Sequence, residues 1–141
     1  MQAVTNIKNL IPQQAPFVMV DTLRSHSESK AISSLTIQKD NLFVENNVFL
    51  EAGLVENMAQ TVALHTGYEY FLKGMEAPTG YIGAIKNIDI IKLPLLDETI
   101  FTEVEIIQEF LGVTLVEIEV VNAQKEKIAS CQMKTVILAN G

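Results

Sequence analysis

A carboxylate placed where water is scarce can take or give a proton near neutral pH, because burial disfavours its charged form. Glu56 meets that description on sequence grounds. It stands alone in AGLVENMAQTVALHT, residues 52–66, which holds no other acidic or basic side chain apart from the near-neutral His65. Leu54, Val55, Met58 and Val62 recur there at helical spacing, and the small Ala52, Gly53, Ala59 and Ala63 let neighbouring backbone come close. Such a helix is expected to be buried on most sides, leaving Glu56 poorly solvated and in need of a partner. Gln60, one turn on, can supply a purely structural hydrogen bond, and that plainer reading stands beside the acid–base one.

Other chemistry-bearing residues are few. His26 lies in a polar turn, RSHSESK, and His65 sits nine residues beyond Glu56, on nearly the opposite helix face. His65 reads as a histidine satisfied by packing, and two histidines so placed do not make a metal site. Tyr68, Tyr70 and Tyr81 read as lining or core. The single cysteine, Cys131, falls in an alternating strand pattern and reads as a small core or interface residue.

The helix that must carry Glu56 is expected over 49–72, closed by Lys73-Gly74. Before it, an apolar run at 17–23, a polar turn and a return strand at 31–37 suggest a hairpin. After it come strand patterns at 81–91, 99–110, 113–121 and 127–138, with turns at Gly112 and 122–126. In the third of these, Glu117 and Glu119 face outward and Ile118 and Val120 inward. One long helix with about six mostly antiparallel strands is an α+β arrangement, the helix lying on one face of the sheet. A single domain over residues 1–141 is expected.

Composition narrows the function classes. The chain has 141 residues, 48% of them hydrophobic, and a net charge of -7. That charge and the lack of a basic stripe oppose general nucleic-acid binding. No glycine-rich phosphate loop or Cys/His metal spacing is present, so no metal or cofactor is expected. No apolar run nears the roughly 20 residues that span a bilayer. The opening MQAVTNIKNLIPQQ lacks the pattern of a signal peptide, and a cytoplasmic protein is expected.

The layout of a proline-flanked opening, a hairpin, one buried helix and a long meander resembles the hotdog fold. Ile11-Pro12-Gln13-Gln14-Ala15-Pro16-Phe17-Val18-Met19-Val20-Asp21 resembles the opening motif of the 3-hydroxyacyl-[acyl-carrier-protein] dehydratases of that fold. Leu54-Val55-Glu56-Asn57-Met58-Ala59-Gln60 resembles their active-site helix, whose glutamate is catalytic, and Gly83, Lys86 and Asp97 match the region after it. Met58-Ala59-Gln60-Thr61-Val62 is similar to a divergent branch from aryl-polyene-type pathways. The resemblance covers roughly residues 10–100. It implies a long central helix wrapped by a sheet of five to six strands. It also implies an acyl thioester, on acyl carrier protein or coenzyme A, as ligand, and a homodimer or a heterodimer with another hotdog protein.

The departures fall on the chemistry. The family's Gly-His-Phe-Pro string corresponds to Asn41-Leu42-Phe43-Val44, so Leu42 replaces the histidine that partners the glutamate, and a second family histidine is Gln13. Dehydration needs a base for the α-proton, an acid for the departing hydroxyl and donors for the enolate-like oxygen. Glu56 can supply one proton transfer. Backbone amides at Glu51 and Ala52 can be the donors, although Glu51 replaces a family glycine and its charge opposes an oxyanion. Gln13 can orient a water or a carbonyl but cannot titrate. Gln13, Leu42, Phe43, Glu51, Ala52 and Gln60 are therefore the expected surroundings of Glu56. The basic stretch after the family's lysine is reduced to Lys86 and Lys92 among Ile88, Ile90 and Ile91, which suits a strand covered by another protomer. Three readings remain: a weak or inactive dehydratase-like binder, a non-catalytic subunit of an active hotdog partner, or a thioesterase.

Overall fold

Alternating side chains give this chain its sheet. In the strand Val113–Val121, Thr114, Val116, Ile118 and Val120 are buried while Glu117 and Glu119 are exposed, the period-2 pattern of a sheet with one wet face. The computed structural model describes residues 1–137. Its elements are β1 (Thr22–His26), β2 (Lys30–Thr36), β3 (Val44–Glu45), β4 (Val48–Phe49), α1 (Glu51–Leu72), β5 (Gly80–Ile90), β6 (Thr99–Phe110), β7 (Val113–Val121) and β8 (Lys127–Ile137). Six strands form one antiparallel sheet in the order β1-β2-β6-β7-β8-β5, and β3 pairs with β4 in a separate ribbon. This is the helix-in-sheet layout that the resemblance implies.

The core lies between α1 and the concave face of the sheet. Leu54, Met58 and Leu64 of α1 are fully buried, as are Ile100, Val120 and Met133 on the strands. Each such side chain contributes about 1.5–3 kcal/mol relative to exposure. Cys131 is buried with its Sγ 3.6 Å from Met58 Sδ, and burial pushes its thiol up to about 11. It is a packing residue, as expected. The N-terminal segment crosses α1 at Gly67, where an added Cβ would lie 1.9 Å from Leu10 O, so only glycine permits that approach.

Several boundaries differ from the sequence expectation, among them β2 at Lys30–Thr36 rather than 31–37 and the end of β5 at Ile90 rather than 91. The hairpin begins at Thr22 rather than 17, because residues 17–21 run along the helix instead of entering the sheet. The helix begins at Glu51 rather than 49, because Val48 and Phe49 pair with Val44 and Glu45. Asn46 and Asn47, both at positive φ (52° and 64°), make the tight turn of that ribbon, and the Asn-Asn pair was its sequence signal. The strand expected to begin at Tyr81 begins at Gly80. β6 and β7 fall where expected, and Leu138 lies outside the described residues. The helix stops at Lys73, followed by Gly74 at φ 66°. Among the described residues no helix is long and apolar enough to cross a membrane.

Candidate functional site

The buried face of α1 is unusually polar. Asn57, Gln60, Thr61 and His65 are all 2% exposed or less. Buried polar atoms cost stability unless bonded, and these are bonded. Asn57 Nδ2 donates to Met19 O at 2.8 Å, and its Oδ1 accepts from Thr102 Oγ1 at 2.5 Å. Gln60 Oε1 accepts the Met19 N–H at 2.6 Å, while its Nε2 donates to Phe17 O at 2.9 Å. Thr61 Oγ1 lies 2.7 Å from Ser33 Oγ. Two helix amides thus pin the backbone of residues 17–19 to α1, which explains why that run is not a strand. Sequence reasoning missed this role for Asn57. Its signal was Asn57, Gln60 and Thr61 at i, i+3 and i+4 in an otherwise apolar helix.

Glu56 sits one turn before Gln60 and takes a second hydrogen bond from the same Nε2, at 3.1 Å. The carboxylate is therefore aimed by an amide that is itself fixed by two backbone groups. The expectation of a poorly solvated Glu56 is corrected in the single chain, where it is exposed. The helix is not buried on most sides. Ala52 and Glu56 are exposed, while Ala59 and Ala63, further along the same face, are half-buried beside a cavity. Glu56 also does not lie between helix and sheet.

The first turn of α1 is open. Leu50 precedes it without a side-chain cap, so the amides of Glu51 and Ala52 have no intrahelical partner, and both residues are exposed. Phe43 packs on the helix start, where a Cβ on Gly53 would meet Phe43 Cβ at 2.8 Å and the Phe49 ring at 2.5 Å. Asn41 Oδ1 accepts the Phe43 N–H at 2.8 Å, fixing this loop, while Leu42 is 50% exposed. Glu51, Ala52, Phe43, Glu56 and Gln60 thus gather at the N-terminal half of α1.

Gln13 does not join them. It lines a cavity of about 610 Å³ that runs beside the C-terminal half of α1, bounded by Ala59, Ala63 and Tyr70, the segment 9–13, the start of β5, and Val104 and Val116. Ala59 and Ala63 follow Glu56 by three and seven residues, on the same helix face, so the cavity begins one turn beyond the carboxylate. A second hollow, about 520 Å³, lies on the outer sheet face, rimmed by Glu103, Glu105, Glu117 and Glu119. Glu103 faces Glu119 and Glu105 faces Glu117 across the strands, and Lys30 reaches Glu103 at 3.6 Å and Glu105 at 3.1 Å. Like charges so arranged repel phosphate or an acidic carrier. The cavity beside α1 is the better ligand site.

The histidines form a structural pair. His65 Nε2 bonds Ser27 O at 2.9 Å and His26 Nε2 bonds His65 O at 3.1 Å, with the rings stacked at 4.8 Å. The reading of His65 as satisfied by packing holds. His26, expected in the turn, is the last residue of β1 and reaches the helix of its own chain. Burial lowers its pKa, and the neighbouring His65 lowers it further, against the hydrogen bond to His65 O and the charge of Glu69.

Known proteins resemble this chain in sequence and in fold. The curated 3-hydroxyacyl-[acyl-carrier-protein] dehydratase FabZ of Haemophilus ducreyi is 29% identical over 117 residues, 79% of this chain and 75% of that one. A chain of the dehydratase heterocomplex ApeI:P from Xenorhabdus doucetiae superposes with a TM-score of 0.85 at 12% identity, covering 95% of this chain and 91% of that one. A hypothetical thioesterase from Streptococcus pneumoniae TIGR4, solved with coenzyme A, gives 0.69 at 8% identity over 83% and 84% of the two chains. The fold shared with the two solved structures is the hotdog fold. A family model described as ApeP-like, ApeP dehydratase, matches residues 5–137, nearly the whole chain with its opening motif, helix and meander. This protein belongs to the ApeP-like dehydratase family.

Proposed function

We propose that this chain binds 3-hydroxyacyl or enoyl thioesters as one subunit of a hotdog dimer, with Glu56 as its single proton-transfer group. The observation that carries the reading is the position of Glu56. It is held by Gln60 on the exposed start of a face of small residues, beside the open first turn of α1 and one turn before the cavity. A partner helix laid on that face would strip water from the carboxylate and strengthen its electrostatic interactions. The amides of Glu51 and Ala52 would face the thioester oxygen, and the cavity would receive the acyl chain. Its volume falls within the roughly 300–1,000 Å³ of small-molecule sites.

The edge strand supports the dimer. Among the described residues β5 has β8 on one side and no strand on the other, and its Tyr81, Ile82, Ile85 and Ile88 are 40–55% exposed. An edge of that kind pairs with another chain. Edge-to-edge pairing through β5 would make one continuous sheet with the helices side by side.

With Leu42 and Gln13 at the histidine positions, the homodimer lacks, in the place the family uses, a second group that titrates near neutral pH. Loss of one general acid or base removes about 10²–10⁴-fold of rate. The heterocomplex among the structural neighbours favours a partner that brings the missing histidine. The test is hydration of a crotonyl thioester by the purified chain, alone and with a histidine-bearing hotdog protein, with Glu56→Gln as control. Barely detectable turnover that rises on adding the partner supports the reading. Turnover near about 10 s⁻¹ by the chain alone, abolished in Glu56→Gln, overturns the weak-catalyst part. The coenzyme A-bound neighbour keeps thioesterase activity as the second reading, and release of free thiol without hydration would select it.

A further inference from the structure

We infer that residues 12–16 are a strap beside the cavity that opens to admit the ligand, and that Gln13 sets how readily it opens. That the ligand is an acyl chain rests on the reading above; the strap rests on how its own residues are held. The chain is clamped on either side of it. Before the strap, Ile7, Leu10 and Ile11 are buried, and Leu10 O crosses Gly67 so closely that only glycine fits there. After it, Met19 N–H donates to Gln60 Oε1 at 2.6 Å and Met19 O accepts from Asn57 Nδ2 at 2.8 Å. Phe17 O accepts from Gln60 Nε2 at 2.9 Å.

Between the clamps little ties the chain down. Pro12, Gln14, Ala15 and Pro16 are exposed and Gln13 is half-buried. The two prolines have no N–H to donate. Among the described residues, the one backbone hydrogen bond of this stretch is local, from Phe17 N–H to Gln14 O at 2.9 Å. Yet Pro12 and Gln13 form part of the cavity wall, which the buried Val62, Val104 and Val116 continue on the helix and sheet. Lifting the strap breaks no hydrogen bond to helix or sheet and uncovers little apolar surface, the two properties of a segment that opens locally. The closed position is also costly. Gln13 Oε1 is shut off from solvent with no hydrogen-bond partner among the described residues. Opening exposes that acceptor to water, so its burial biases the strap toward the open position. A methionine, similar in length but without the acceptor, would keep the strap shut.

A trifluoromethyl tag on Gln14→Cys, an exposed strap position, reads the motion by fluorine NMR without any ligand. Cys131 is buried with its thiol pushed up to about 11, so it does not compete for the tag. With Gln13 in place the tag should show relaxation dispersion from microsecond-to-millisecond exchange. Gln13→Met should lower the open population about tenfold. Stopped-flow mixing with parinaric acid, a fluorescent long-chain fatty acid, reads entry. Its association rate should level off as the probe is raised, and should fall about tenfold in Gln13→Met. Gln13→Leu also deletes the acceptor and stands in if Gln13→Met does not fold. A tag without dispersion, or with dispersion unchanged in these variants, overturns the strap. Association that stays linear in probe and equal in all three proteins overturns its role in entry. Failure of the probe to bind removes the acyl reading, and the tag still decides whether the strap moves.

Discussion

The two faces of α1 differ in who completes them. On one face, Asn57, Gln60, Thr61 and His65 find every partner within their own chain, from Met19, Phe17, Thr102, Ser33 and Ser27. On the other, Ala52 and Glu56 are exposed, Ala59 and Ala63 border a cavity, and the side-chain hydrogen bond of Glu56 is to Gln60. The closed face uses polar side chains to hold the N-terminal segment; the open face uses small ones, which leave room. Gln60 belongs to both, bonding the closed segment and the open carboxylate with one amide. The difference teaches that rigidity and site can lie back to back on one helix. The closed face fixes the geometry, and the open face leaves Glu56 accessible.

The closed face should be the expensive one to break. Asn57→Ala strands Met19 O and Thr102 Oγ1 in the core, and two unpaired buried groups cost about 3 kcal/mol together, or roughly 10 °C in Tm. Thermal melts followed by circular dichroism check this. A loss below about 1 kcal/mol would mean that the pinning of residues 17–19 matters little. Gly67→Ala comes next. Alanine favours a helix interior by about 1 kcal/mol over glycine, yet its Cβ would strike Leu10 backbone, so we expect a net loss of about 2 kcal/mol in urea unfolding.

The open side should respond in assembly rather than in folding. Ile88→Lys puts a charge on the exposed β5 edge and should turn a dimer into a monomer by light scattering at micromolar concentration. Its melt should shift by less than that of Asn57→Ala. A wild type that is already monomeric would remove the paired-sheet reading. Glu56→Gln should change stability by less than about 0.5 kcal/mol, because an exposed carboxylate with one neutral partner contributes little to folding. A larger loss would make Glu56 a structural residue first.

The smallest effect concerns the histidine pair behind the closed face. The folded-state pKa of His26 is depressed below the unfolded value of 6.5, with His65, Tyr68 and Glu69 as its neighbours. The unfolded chain therefore binds more protons as pH falls through 6.5, and folding loses stability in that direction. The contribution is intact above 6.5 and fully lost below the folded pKa. Melts between pH 7.5 and 5 should show this slope in the wild type and less of it in His26→Phe. An unchanged slope in the variant would assign the titration elsewhere.

Much of this was legible along the chain. Period-2 alternation located β6 and β7 to the residue, and Lys73-Gly74 stopped the helix where expected. The Glu56–Gln60 bond followed from i, i+4 spacing, and the motifs around them led to the right family. The first strand was misplaced because residues 17–21 are as apolar as a strand, while the bonds that hold them come from side chains some 40 residues away. The burial of Glu56 was misjudged for a related reason. A run without charges says that a helix is apolar, not which side its own sheet covers.

What the sequence determined by itself was local: strand period, the extent of the helix and the turn residues. The tertiary structure alone decided which atoms were left over. It put Glu56 on the uncovered side of α1, closed the bonds of Asn57 and Gln60 around residues 17–19, and left Gln13 Oε1 unpaired beside a cavity. Periodicity is a property of neighbours in the chain, whereas hydrogen-bond satisfaction and solvent exclusion depend on groups distant in the chain that meet only once it has folded.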